Sequence, residues 1–224
     1  MKQNDSNQSQ LDEDSVMKSQ MEKMVDSYDL YMKRITLGRE NALREMTVNL
    51  AQVKPGDCVL EVGCATGTLT LAAKRQAGPS GKVFGIDIIP GMIERSQQKA
   101  VQANLNVKFQ SGSIENIPFP ENHFDVVMCS FMIFHMSEEV RRKGIAEIYR
   151  VLKPQGRLLV LDLALTTRPA SRAITKLFLG FLLKHDLKEL LPMMESSGFF
   201  GIQVSRAKYR ILGLSLLSFV SGSK

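Results

Sequence analysis

Val59-Leu60-Glu61-Val62-Gly63-Cys64-Ala65-Thr66-Gly67-Thr68-Leu69-Thr70-Leu71-Ala72 is the stretch that decides the fold. A short apolar run ending at Gly63 reads as a buried parallel strand. Small residues then make a tight turn, with Thr66 or Thr68 near the start of a helix. A strand that feeds a helix through glycines is a nucleotide-binding arrangement. Glycine lets a ligand approach the backbone, and the helix start offers unpaired N–H donors. Gly63 and Gly67, with Ala65 between them, do not complete a dinucleotide G-x-G-x-x-G, and the chain has no G-x-x-x-x-G-K-[ST] phosphate loop. Glu61 stands just before the turn and would repel a pyrophosphate, so a neutral or positively charged ligand is expected.

Outward from this stretch, turns and strands alternate with helices. Lys54-Pro55-Gly56-Asp57 launches the strand, and Gly78-Pro79-Ser80-Gly81 ends the following helix. A second strand, 82–87, ends in Asp87. In doubly wound folds an acid there accepts hydrogen bonds from ribose hydroxyls; the other reading is an N-cap for the helix opened by Pro90. Residues 90–103 read as that helix, with Met92, Ile93 and Ser96 on one face. Residues 107–110 and 123–130 read as the third and fourth strands. Ser137 caps a further helix, whose first turn carries Glu138 and Glu139. Residues 158–162 make a fifth strand, and 202–208 with 211–221 a closing hairpin. The fold class is therefore α/β: a doubly wound, Rossmann-like seven-stranded sheet, mostly parallel with an antiparallel C-terminal hairpin.

Glu61-Val62-Gly63-Cys64-Ala65-Thr66-Gly67 resembles the first motif of class I S-adenosylmethionine-dependent methyltransferases, with Ala65 at the usual middle glycine. Arg150-Val151-Leu152-Lys153-Pro154-Gln155-Gly156-Arg157 resembles another string of that superfamily. The likeness runs from about residue 25 to 163 and is nearest to quinone, sterol and general small-molecule enzymes. It implies S-adenosyl-L-methionine as cofactor and a small, apolar or lipid-like acceptor, methylated at O, N or C. The implied cofactor residues begin with Glu61, Gly63, Cys64, Ala65 and Gly67 in the turn. Asp87, Ile88 and Met92 follow the second strand. Tyr28 belongs to the segment Val25–Tyr31, which resembles the helix that lids the cofactor. Ser111 to Phe119 resembles the family's G-D-A-E-x-L-P-F segment. Ser113 replaces its acid there, leaving adenine to Ser113 and the Ile114 backbone. Ser130 to Met136 should face the transferred methyl. His135, the one titratable side chain in that apolar run, reads as a general base, a pocket wall or a core residue.

Composition agrees with one soluble α/β domain: 224 residues, 44% hydrophobic and 23% charged. Residues 1–15 read as a disordered tail, 16–50 as an N-terminal helical lid, and 51–224 as the methyltransferase domain with an acceptor lid at 164–185. Cys58, Cys64 and Cys129 form no metal spacing and read as buried thiols in a cytoplasmic protein. The net charge is +6, and basic residues dominate from Arg141 to Arg210. Residues 168–184 mix basic and apolar positions, as in a substrate lid, a covering helix or a segment lying on an anionic membrane. Two rival functions are weighed besides a membrane-peripheral scaffold acting through 168–184. A nucleic-acid methyltransferase fits the basic face, but Cys129-Ser130-Phe131-Met132 replaces the Asn/Asp-Pro-Pro-Tyr of enzymes that methylate base amines. A non-catalytic cofactor-binding partner protein fits Ala65 and Ser113.

Overall fold

The computed structural model describes residues 18–163, 186–207, 209 and 217–224. The sequence readings of 1–15 and 164–185 lie outside these residues. A seven-stranded sheet runs β3-β2-β1-β4-β5-β7-β6. Its strands are β1 (Cys58–Val62), β2 (Lys82–Asp87), β3 (Lys108–Ser111), β4 (Phe124–Ser130), β5 (Leu152–Leu163), β6 (Phe200–Arg206) and β7 (Leu217–Ser223). β1 to β5 pair in parallel, and β7 inserts antiparallel between β5 and β6. Strand order reverses between β1 and β4, which is where this architecture opens its ligand crevice.

Helices cover both faces, so β1 is buried at every position. On one face α2 (Glu40–Leu50) and α3 (Thr68–Ala77) bury Val48, Leu69, Ala73 and Ala77 against Val59, Val126 and Met128. There α4 (Pro90–Gln102) packs Ile93 and Ala100 with Phe109. On the other face α5 (Glu138–Val151) and α6 (Leu191–Ser197) bury Ile145, Ile148, Met193 and Met194 against Leu60, Val127, Leu158 and Val160. Met92, Ile93 and Ser96 are buried on α4, as their spacing implied.

Local chemistry sets the element ends. Ser137 accepts from the Val140 N–H and opens α5. Buried Lys74 closes α3, donating to the Gly78 and Gly81 carbonyls at 3.0 and 2.7 Å, where a cation also meets the negative end of the helix dipole. Three boundaries differ from the sequence reading. The 16–50 segment is not one helix. Residues 18–24 are helical, α1 (Tyr28–Ile35) begins after a turn at 25–27, and α2 begins after left-handed Leu37 and Gly38. β5 starts at Leu152 rather than Leu158. The Lys153–Gly156 excursion is held by the chain end: Gln155 N–H donates to the Lys224 carbonyl, and Lys224 N–H to that of Gly156. β6 lies at Phe200–Arg206, and β7 is described from Leu217 to Ser223.

Candidate cofactor and acceptor site

The carboxyl rim of β1, β2, β4 and β5 gathers most of the residues singled out in the sequence. After β1 the chain makes a succession of left-handed residues, with φ of 70° at Gly63, 45° at Ala65 and 78° at Gly67. The turn is pinned to β2: Gly63 and Cys64 N–H both donate to the Ile86 carbonyl at 2.9 Å. Gly67 is the N-cap of α3 and supplies no side-chain cap, so neither threonine plays that part. Its missing side chain is a packing requirement. A Cβ there would lie 2.7 Å from the Phe109 ring and 2.9 Å from Ser96. At Gly63 a Cβ would meet the Met132 side chain at 2.8 Å.

Glu61 is 2% exposed and accepts a hydrogen bond from the Thr70 hydroxyl. Burial pushes its carboxyl up to about 7, against the pull of the Thr70 bond and the nearby Arg44 guanidinium. Arg44, from α2, is itself 5% exposed and pairs with Glu40 at 3.1 Å. Its Nε is buried without a hydrogen bond among the described residues. Tyr28 comes from α1, and burial drives its phenol to about 12 while Arg44 opposes; Glu61 and Asp87 are also among its charged neighbours. Four ionisable groups from four elements thus converge on one turn. Sequence reasoning missed Arg44; the Glu40–Arg44 spacing of four was the available signal.

Asp87 satisfies neither sequence reading alone. One carboxylate oxygen accepts from Ile89 N–H at 3.0 Å, the other from Ala65 N–H at 2.8 Å. It therefore clamps the β1 turn onto β2. The helix N-cap is Ile89, not Asp87. The Ile88 N–H also bears on the carboxylate, which keeps room for about one further donor. Burial raises the Asp87 carboxyl, and the backbone N–H groups oppose that. Ile88 beside it is 44% exposed, whereas Met92 is 1% exposed and packs inside.

The remaining positions divide by burial. Ser113 accepts from the Glu115 N–H at 3.2 Å and shapes its own loop. The Ile114 side chain is 3% exposed and fills the space above Gly144, leaving only its backbone for a ligand. Cys64 is a buried thiol whose pKa burial pushes well above normal, and Cys58 and Cys129 are buried and unpaired as well. Ser130 ends β4 at 8% exposure. His135 closes a short 3-10 turn, Ile133–His135, with its side chain exposed rather than enclosed. Among the described residues no group of three His, Cys, Asp or Glu converges as metal ligands, and no helix is long and apolar enough to cross a membrane.

α1 is latched to the turn. Asp29 Oδ1 on α1 accepts from the Thr66 hydroxyl at 2.7 Å and from Lys99 Nζ on α4 at 2.6 Å, and Lys99 also donates to Thr66 at 2.9 Å. Asp26 pairs with Arg95 on the same helix.

Comparisons with known proteins agree with this geometry. Residues 59–156 match the family described as "Methyltransferase domain". The chain is 34% identical over 155 residues to a demethylmenaquinone methyltransferase of Symbiobacterium thermophilum, covering 68% of this chain and 60% of the relative. It is 33% identical over 150 residues to the ubiquinone/menaquinone biosynthesis C-methyltransferase UbiE of Burkholderia multivorans, covering 67% and 61%. The chain thus spans about three fifths of the length of these curated relatives. Among solved structures, an S-adenosylmethionine-dependent methyltransferase of Aquifex aeolicus superposes with a TM-score of 0.64 at 23% identity, over 90% of this chain and 97% of the other. Strand order and the matched segment agree: residues 59–156 match the methyltransferase-domain family, in a fold shared with the superposed solved structure.

Proposed function

We propose that the chain transfers the methyl group of S-adenosyl-L-methionine to a small, lipid-like acceptor of the quinol type. The observation that carries this reading is the buried Glu61 carboxyl beside Arg44 and Asp87 at the left-handed turn. An amino-acid head group brings one ammonium and one carboxylate. Glu61 answers the first. The Arg44 guanidinium, with its Nε unpartnered among the described residues, answers the second. The remaining acceptor capacity of Asp87 suits a ribose hydroxyl, and exposed Ile88 suits a flat base. When bound, this cofactor supplies an electrophilic methyl carbon, so the protein's main task is to hold the acceptor in line with it. The quinol class follows the named relatives.

Calorimetry with S-adenosylmethionine and S-adenosylhomocysteine tests the cofactor assignment. Micromolar binding of both is expected, with Arg44→Ala weakening both; no binding to either overturns it. Transfer of labelled methyl to hydroquinones rather than to duplex DNA or tRNA tests the acceptor class. Contact with an anionic membrane through 168–184 belongs to the same reading, since a lipid-like acceptor resides there. Co-sedimentation with phosphatidylglycerol vesicles but not with phosphatidylcholine vesicles is the expected result.

A further inference from the structure

Asp162 is a third buried carboxylic acid on the carboxyl rim of the sheet, and the cofactor site does not use it. It lies one residue beyond Leu161, which pairs with Ser130 at the last rung between β4 and β5. Strand alternation puts it on the face of Leu158 and Val160, which pack with Ile133 and Ile145. Across the antiparallel rung stands Ser218 of β7. Asp162 is 8% exposed and Ser218 7%. Among the described residues the one hydrogen bond of its carboxyl comes from the N–H of its own neighbour Leu163, at 2.7 Å. Among the described residues it has no cationic partner. A carboxyl placed so costs stability, and an apolar or amide side chain would suit the core better. The chain after β4 crosses the same rim, with Met132, Phe134 and Met136 half-buried against the same core. The rim beyond Ser130 therefore offers apolar surface with one acid in it.

We infer that Asp162 is the base that takes the hydroxyl proton of the acceptor ring during methyl transfer; this rests on the acceptor being a hydroxylated ring, as proposed above. As the O–H bond breaks, the proton passes to a carboxylate oxygen of Asp162 and the electron pair moves into the ring. The ring carbon beside the hydroxyl, or the oxygen itself, bonds to the methyl carbon. The methyl leaves its sulfur, which keeps the bonding pair as a neutral thioether. One cation and one carboxylate thereby become two neutral groups. After attack at carbon, the ring C–H proton leaves to water, and the hydroxyl regains its proton from Asp162. Burial holds the Asp162 carboxyl at about 7, with the Leu163 N–H pulling the other way. That makes it a stronger base than an ordinary aspartate and closer in acidity to a phenol.

The test compares wild type with Asp162→Asn and Asp162→Glu, using labelled S-adenosylmethionine and a hydroquinone series made more acidic by ring fluorination. For Asp162→Asn with plain hydroquinone, kcat should fall about 100-fold or more. S-adenosylhomocysteine affinity should hold, and Glu should restore part of the rate. The deficit should shrink as the acceptor becomes acidic enough to ionise unaided. An unchanged kcat, or the same deficit across the series, overturns the base while leaving the methyltransferase reading intact. A wild type that binds S-adenosylhomocysteine but methylates no hydroxylated ring overturns the acceptor class and the base together. If Asp162→Asn does not fold, Asp162→Ser carries the same comparison.

Discussion

Ala65 sits at φ 45°, a conformation in which an L side chain costs about 1–2 kcal/mol. The turn tolerates it because Asp87 holds the Ala65 N–H from the far side. Gly67 has no such latitude, since its positive φ coincides with contacts to Phe109 and Ser96. Gly67→Ala should therefore lose roughly 2–3 kcal/mol of stability; an unchanged urea midpoint would refute the packing argument. Glu61 makes the sharper prediction. Its carboxyl titrates near 7 in the free protein, and a bound ammonium favours the ionised form. Affinity for S-adenosylhomocysteine should then be roughly tenfold weaker at pH 6 than at pH 7.5. Calorimetry at the two values checks this. In Glu61→Gln the affinity should be lower and this pH dependence absent.

At the scale of elements, α1 is attached chiefly through polar contacts. Met32 is buried and Tyr28 partly so, while Leu30 and Ile35 face solvent. What secures it to the turn after β1 is the Asp29–Lys99–Thr66 triangle, whose charged members are partly exposed. Such pairs contribute up to about 1 kcal/mol, less in high salt. Lys99→Ala should speed S-adenosylhomocysteine release a few-fold in stopped flow, with the difference from wild type narrowing in 1 M salt. An unaltered release rate would mean that the triangle holds the helix without gating the site. The strands behave differently. β1 and β4 are buried on both faces and do not depend on such contacts.

For the whole molecule, the rim concentrates acids whose pKa values burial has raised: Glu61 and Asp162 to about 7, with Asp87 shifted the same way. In the unfolded chain these groups ionise near pH 4. Between that value and about 7 the native state keeps protons that the unfolded state has lost, so stability falls as pH rises and levels off above 7. Acids with lowered pKa, such as Asp125 beside Lys153 and Glu147 beside Arg150, contribute above pH 4 and are lost only below it. The ligand-free protein should therefore melt higher at pH 5.5 than at pH 8, and Asp162→Asn should remove part of the difference. Calorimetric melts across that range decide it. A rim that stores unfavourable charge when empty gains the most from a cationic ligand.

The sequence by itself determined the alternation of strands and helices, the turn after β1 and the acid that ends β2. These rest on patterns that repeat locally: buried strands, glycines at tight turns, and helix starts marked by Ser137 and Pro90. The family resemblance added the cofactor, and the order of the sheet came from the structure. Only the tertiary structure decided what Asp87 grips, that Arg44 reaches the turn from α2, that Ile114 plugs the core while His135 faces outward, and that Asp162 is buried with no cationic partner among the described residues. Burial and electrostatic partnership depend on residues far apart in the chain. Asp29 and Lys99, 70 positions apart, meet only once the sheet has folded. No local pattern encodes that distance, and the chemistry of the site depends on it.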